Sequence, residues 1–189
     1  MTDAAENPLG REPVGRLFVR LALPAVTAQV INVLYNLVDR MYIGHIPDIG
    51  GTALTGVGVT SPVILLLSAF AALVSMGGAP RASIALGRGD RQEAEQILGS
   101  CAFTLTMLSL VLAAVMLLWA RPILLLFGAS AETLPYALPY MRVYSLGTVF
   151  VQLTLGLNAF ITAQGFSLKS MLTVLIGAVL NSVLDPLFI

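Results

Sequence analysis

The sequence predicts an all-α integral membrane protein with five transmembrane helices, and three observations predict it. Composition comes first: the 189 residues are 57% hydrophobic and 11% charged, with a mean hydropathy of +0.89, whereas a soluble domain carries about 25% charge. Second, five apolar stretches, at about residues 17–43, 57–78, 97–119, 139–163 and 170–189, each supply the roughly 20 helical residues that a hydrocarbon core requires. Third, residues 63–74 and 105–118 are apolar on every side, where membrane barrel strands would alternate.

Composition also excludes. Ten basic and ten acidic residues leave no net formal charge, so there is no basic field for nucleic acid. The one cysteine, Cys101, lies in an apolar run, cannot form a disulfide within the chain and reads as packing. Residues 1–16 are polar and mixed in charge; they read as a solvated cytoplasmic tail rather than a cleavable signal, so the first span directs insertion. Seven of the ten basic residues (Arg11, Arg16, Arg20, Arg81, Arg88, Arg91 and Lys169) fall on the tail or on even-numbered turns. By the positive-inside rule the N-terminus is cytoplasmic, and the loops at 44–56 and 120–138 lie outside.

In span 1, Gln29, Asn32, Tyr35 or Asn36, and Asp39 recur at intervals of three and four, which places them on one face of an otherwise apolar helix. That face is expected to line a cavity, and Pro24, about a turn inside the membrane, is expected to act as a hinge. Arg40 is expected to snorkel to the outer interface; the competing reading makes Asp39 and Arg40 both simply interfacial. Span 4 carries Tyr140, Tyr144, Thr148 and Asn158 at helical spacing. Asn158 lies well inside the apolar run and must hydrogen-bond there, Tyr140 either lines a cavity or anchors at the interface, and Tyr136 reads as an interfacial anchor.

The segment 81–96 reads as a glycine-containing turn followed by a short amphipathic cytoplasmic helix. It contains GxGD, the pattern of intramembrane aspartyl proteases, and RGD, the adhesive tripeptide, both at 87–90. The first needs its aspartate inside a span and the second faces the wrong side of the membrane, so both read as chance. His45 stands alone and suggests no metal site, and no catalytic constellation is read; the chain is expected not to be an enzyme and to need no cofactor.

Span 5 ends in VLNSVLDPLFI. An aspartate at mid-span costs about 2.5 to 3.5 kcal/mol on insertion scales, so it normally faces protein or water and has a function. Asn181 and Asp185 are four apart and share a helix face, and Pro186 can free a carbonyl one turn back, as a ligand or a hinge. Asp39 lies roughly 28 Å above Arg20 along its helix, and Asp185 roughly 24 Å above Lys169. The two carboxylates can therefore meet in the outer half of the membrane, where a close pair suits reversible binding of H+ or Na+. The apolar ending and odd helix count lead to the expectation of an N-terminal piece of a longer transporter, with a short oligomerising protein as the alternative.

The combination of LALPAVTAQVINVLYNLVDRMYIG, ALGRGDRQEAEQ, FITAQGFSLKSM and VLNSVLDPLFI resembles the N-terminal half of the multidrug and toxic compound extrusion (MATE) family, in its DinF-like prokaryotic type. The resemblance implies a twelve-helix fold of two six-helix lobes, of which this chain supplies five helices, in a prokaryotic plasma (inner) membrane. It implies export of cationic and other amphiphilic small molecules in exchange for H+ or Na+, with Asp39, Asn181 and Asp185 as the cation site and Tyr35, Tyr140 and Asn158 lining the substrate cavity beside Asn32 and Asn36. The sixth helix and the second lobe would be partners supplied by the rest of the transporter. A lipid flippase of the same superfamily and a non-transporting membrane assembly subunit are the alternatives.

Overall fold

Glycine, rather than the fall in hydropathy, sets the helix ends. The computed structural model describes the backbone of residues 13–188 and the side chains of residues 13–183, and its helices run in order: α1 Val14–Gly44, α2 Gly50–Gly87, α3 Arg91–Leu126, α4 Leu134–Ala163 and α5 Ser167–Phe188. Gly89 adopts φ +81°, a left-handed conformation open to glycine at little cost. It lets the Asp90 N–H donate back to the Ala85 carbonyl at 3.0 Å and close α2. Asp90 Oδ1 then accepts from the Glu93 N–H at 2.9 Å and caps α3. The expected short separate helix within 81–96 is therefore corrected: both flanking helices run on past the apolar windows and only residues 88–90 turn. Gly165, at φ +87°, closes α4 in the same way, with the Phe166 N–H donating to the Ile161 carbonyl at 3.2 Å.

Prolines interrupt less than their number suggests. The helical run of α1 continues through Pro24, and α2 holds Pro62 and Pro80. In α3 the backbone leaves helical geometry at Trp119 (φ −120°, ψ 19°), three residues before Pro122. The cause is local: the Pro122 ring lacks an N–H and crowds the carbonyl four residues back.

Four helices, α1 to α4, are long and apolar enough to cross a membrane, and α5 is a shorter apolar helix over its described residues. They divide into two groups. The helices α2, α3 and α4 pack along one another, and α1 lies along α5; the groups meet mainly where α1 touches α2 and α4 touches α5. The three-helix group holds the core, with Val63, Leu67, Met116, Leu124 and Met141 buried together. Small residues let its backbones approach: a Cβ on Gly78 would meet Cys101 and Phe160, and one on Gly156 would meet Leu105. Close approach of this kind is how helices gain dispersion contact where lipid supplies no hydrophobic drive.

That core is threaded with polar side chains. Thr60, Ser75, Ser109, Ser145 and Thr148 are buried, and each hydroxyl donates to a carbonyl three or four residues back on its own helix. The buried Gln152 reaches across instead, its Nε2 donating to the Leu67 carbonyl at 2.8 Å and joining α4 to α2.

Candidate functional site

Four of the residues singled out on α1 and α4 lie within electrostatic range of one another across the space between the two helix groups. Helix α1 presents Tyr35 and Asp39, both half-buried, and α4 presents Tyr140 and Tyr144, also half-buried. Tyr140 lies within electrostatic range of Asp39, Arg40 and Tyr35, and Tyr144 within range of Tyr140 and Tyr35. Tyr140 of α4 is thus within electrostatic range of Tyr35 and Asp39 on α1 and of Tyr144 on its own helix. Tyr144 belongs to the cluster as fully as Tyr140; its i+4 spacing was the available signal.

The asparagines are used differently from one another. Asn36 Nδ2 donates to the Asn32 carbonyl at 2.8 Å and to Asn32 Oδ1 at 3.3 Å, so these two form a ladder along α1. Asn158 Oδ1 is buried, and among the described residues it has no hydrogen-bond partner. A buried amide oxygen left in this way costs about 1–3 kcal/mol, so the hydrogen bond expected of Asn158 within its span is not made by Oδ1. Asn181 is half-buried on α5. The side chains of Asp185 and Pro186 lie outside the described residues.

Two grooves flank α1. One, of about 300 Å³, runs between α1 and α5, with Ile31, Leu34, Tyr35 and Val38 facing Ala178, Val179, Ser182 and Val183. The other, of about 520 Å³, is an open apolar channel along α1 that includes Gln29. Gln29 therefore opens onto a surface lined otherwise by Ala25, Val26, Val30, Val33 and Leu34.

Arg40 Nη2 donates to Ser61 Oγ on α2 at 3.3 Å, a reach favoured by the lean of helical side chains toward the N-terminus of their helix. Gln152, which ties α4 to α2 within the core, is a polar residue of span 4 that helical spacing did not single out. Its signal was an amide in the middle of an apolar span, one turn beyond Thr148.

The MatE family model matches residues 24–187, from within α1 to the last turn of α5. The chain belongs to the MatE family. Similarity to curated MatE relatives is spread along its length: the multidrug export protein MepA of Staphylococcus haemolyticus is 27% identical over 174 residues, 92% of this chain and 38% of that protein. MepA of Staphylococcus aureus is 27% identical over 179 residues, 95% of this chain and 39% of that protein. Among solved structures, a MATE crystallised in complex with MaD3S matches with a TM-score of 0.88 at 25% identity, covering 100% of this chain and 42% of that one. The outward-facing conformation of a multidrug resistance MATE family transporter of the MOP superfamily matches with a TM-score of 0.87 at 25% identity, covering 100% and 41%. This MatE chain thus spans about two fifths of the length of the relatives it matches. Its helices are a multi-pass membrane unit of a multidrug-efflux transporter family, whose named relatives are exporters rather than enzymes.

Proposed function

We propose that this chain is the ion-coupling part of a secondary active antiporter that exports amphiphilic and cationic small molecules in exchange for H+ or Na+. One observation supports the reading: Asp39 and Tyr35 of α1 lie within electrostatic range of Tyr140 on α4, across the space between two helix groups. A carboxylate in a span marks an ion or substrate pathway, and aromatic faces favour organic cations over neutral solutes. A coupling ion at Asp39 would draw its other oxygens from Asn181 and from Asp185, four residues further along α5; a hard cation such as Na+ accepts amide and carboxylate oxygens of this kind, and a proton needs only the carboxylate. Pro24 and Pro186 would act as hinges on the two helices that carry these groups.

The test is transport by the full-length protein in proteoliposomes. Imposing an inward-directed H+ or Na+ gradient should drive ethidium outward, and collapsing that gradient with an ionophore should stop it. Ethidium movement that ignores both gradients contradicts antiport.

The proposed orientation puts the N-terminus in the cytoplasm of a prokaryotic inner membrane, since most basic residues fall on that side. A cysteine introduced at Gly89 should react with a membrane-impermeant maleimide only from the cytoplasm, and one at Asp48 only from outside. Both positions lie in exposed turns between helices, so labelling reports sidedness rather than burial. The reverse pattern would overturn the topology.

A further inference from the structure

Three helices separate α1 from α5, so the two run parallel where they pack along one another, and both begin at the same end of the bundle. In the groove between them residues 31–38 face residues 178–183. Equal steps back along each helix bring Arg20 level with the start of α5 at Ser167, and Arg16 about 6 Å nearer the membrane surface. Lys169 lies in the first turn of α5, its Nζ 4.3 Å from the centre of the Phe166 ring. Arg16, Arg20 and Lys169 are all exposed.

The helices themselves do not offset this charge. A helix N-terminus carries about half a unit of positive charge and favours acids, yet neither α1 nor α5 has an acidic residue in its first turn. No side chain caps α1, and Ser167 Oγ, buried in the first turn of α5, makes no hydrogen bond among the described residues. Glu93 and Glu95 belong to α3, which packs on α2 and α4. Two positive helix ends and three basic side chains therefore lie together.

Apolar surface leads away from them. At 3.6 residues per turn, Arg16, Leu23 and Leu34 share one line of α1, and Leu168, Leu172 and Val179 one of α5. Leu34 and Val179 line the groove of about 300 Å³, and all five apolar residues are exposed.

We propose that the start of the α1–α5 groove binds an anionic phospholipid, its phosphate held by Arg16 and Lys169 and one acyl chain lying along the groove. Charge complementarity selects the occupant. An arginine fork and a lysine ammonium both bind phosphate, and basic residues between membrane helices suit anionic headgroups. A zwitterionic headgroup brings a cation that the patch repels, whereas phosphatidylglycerol presents its phosphate alone. The site stands apart from Asp39 and goes beyond the antiporter reading.

Native mass spectrometry of the full-length transporter in detergent, titrated with dioleoylphosphatidylglycerol or dioleoylphosphatidylcholine, reads the affinity for a first bound lipid. The unsubstituted protein should prefer phosphatidylglycerol by about tenfold or more, the size expected of two basic groups. Arg16→Gln with Lys169→Gln should remove that preference and leave phosphatidylcholine binding within about twofold. Lys169→Arg keeps the charge and the ring contact, so it should keep the preference. Arg88→Gln removes an equally exposed charge from the α2–α3 turn at the same end and should change neither affinity. A loss with Arg88→Gln as large as with the pair would leave only a diffuse surface charge and overturn the site. No preference in the unsubstituted protein, or one that survives the paired substitution, would overturn it too. Displacement of the lipid by excess inorganic phosphate would make this a site for small anions, with no role for the groove, and would likewise contradict the proposal.

Discussion

Replacing Asp39 with asparagine should abolish gradient-driven export by the full-length transporter while leaving its insertion and yield in the membrane unchanged. Asparagine has nearly the same shape and buries the same apolar surface around it, so packing of α1 on α5 should not alter. The ionisable carboxylate is lost, and with it, on the proposed antiport, the means by which ion binding acts on substrate binding. A ligand shifts a conformational equilibrium only through its difference in affinity between the two states; an ion that no longer binds supplies no such difference. Ethidium efflux in proteoliposomes should therefore fall to the protein-free rate. Efflux at the unsubstituted rate would remove Asp39 from the coupling site, and loss of the protein from the membrane would make its role structural.

Gly156→Leu is expected to have the largest effect on stability. Gly156 is buried on α4, and a Cβ there would already meet the Leu105 side chain of α3. Leu105 is itself almost wholly buried, at 1% exposure, so it has little room to move. Overpacking of this kind costs about 1–3 kcal/mol, and it should lower the thermal midpoint of the detergent-purified full-length protein. Adding Leu105→Ala should recover part of the loss, because the two changes act on one shared volume. Gly99→Ala is the control: nothing lies within 4 Å of its Cβ position, and alanine favours a helix over glycine by about 0.5–1 kcal/mol. Equal destabilisation by both substitutions would mean that α3 and α4 do not meet at Leu105 and Gly156.

The helices and the polar face of α1 were legible in the sequence for different reasons. An apolar run of 20 or more residues has few physical solutions in a bilayer, and residues at intervals of three and four share a face whatever surrounds them. Tyr35, Asp39 and Tyr140 could therefore be named before any packing was known. The ends of α2 and α3 were less legible because hydropathy reports membrane depth, whereas the backbone turns where Gly89 permits it. Contacts between helices were hidden for another reason. Gln152 bonds the Leu67 carbonyl, and every residue has a carbonyl, so no letter in the sequence identifies that partner. The Ser61 partner of Arg40 was hidden for the same reason, since it lies on another helix.

The central claim, that Asp39 links ion binding to substrate binding, is most directly tested by equilibrium binding of ethidium to the full-length transporter at a series of Na+ concentrations and pH values, with and without Asp39→Asn. Binding free energies are reciprocal between linked sites. In the unsubstituted protein, ethidium affinity should fall as the coupling ion rises, and in Asp39→Asn it should stay level across the same series. An affinity that responds to neither ion in the unsubstituted protein, or responds equally in both proteins, contradicts the assignment of Asp39.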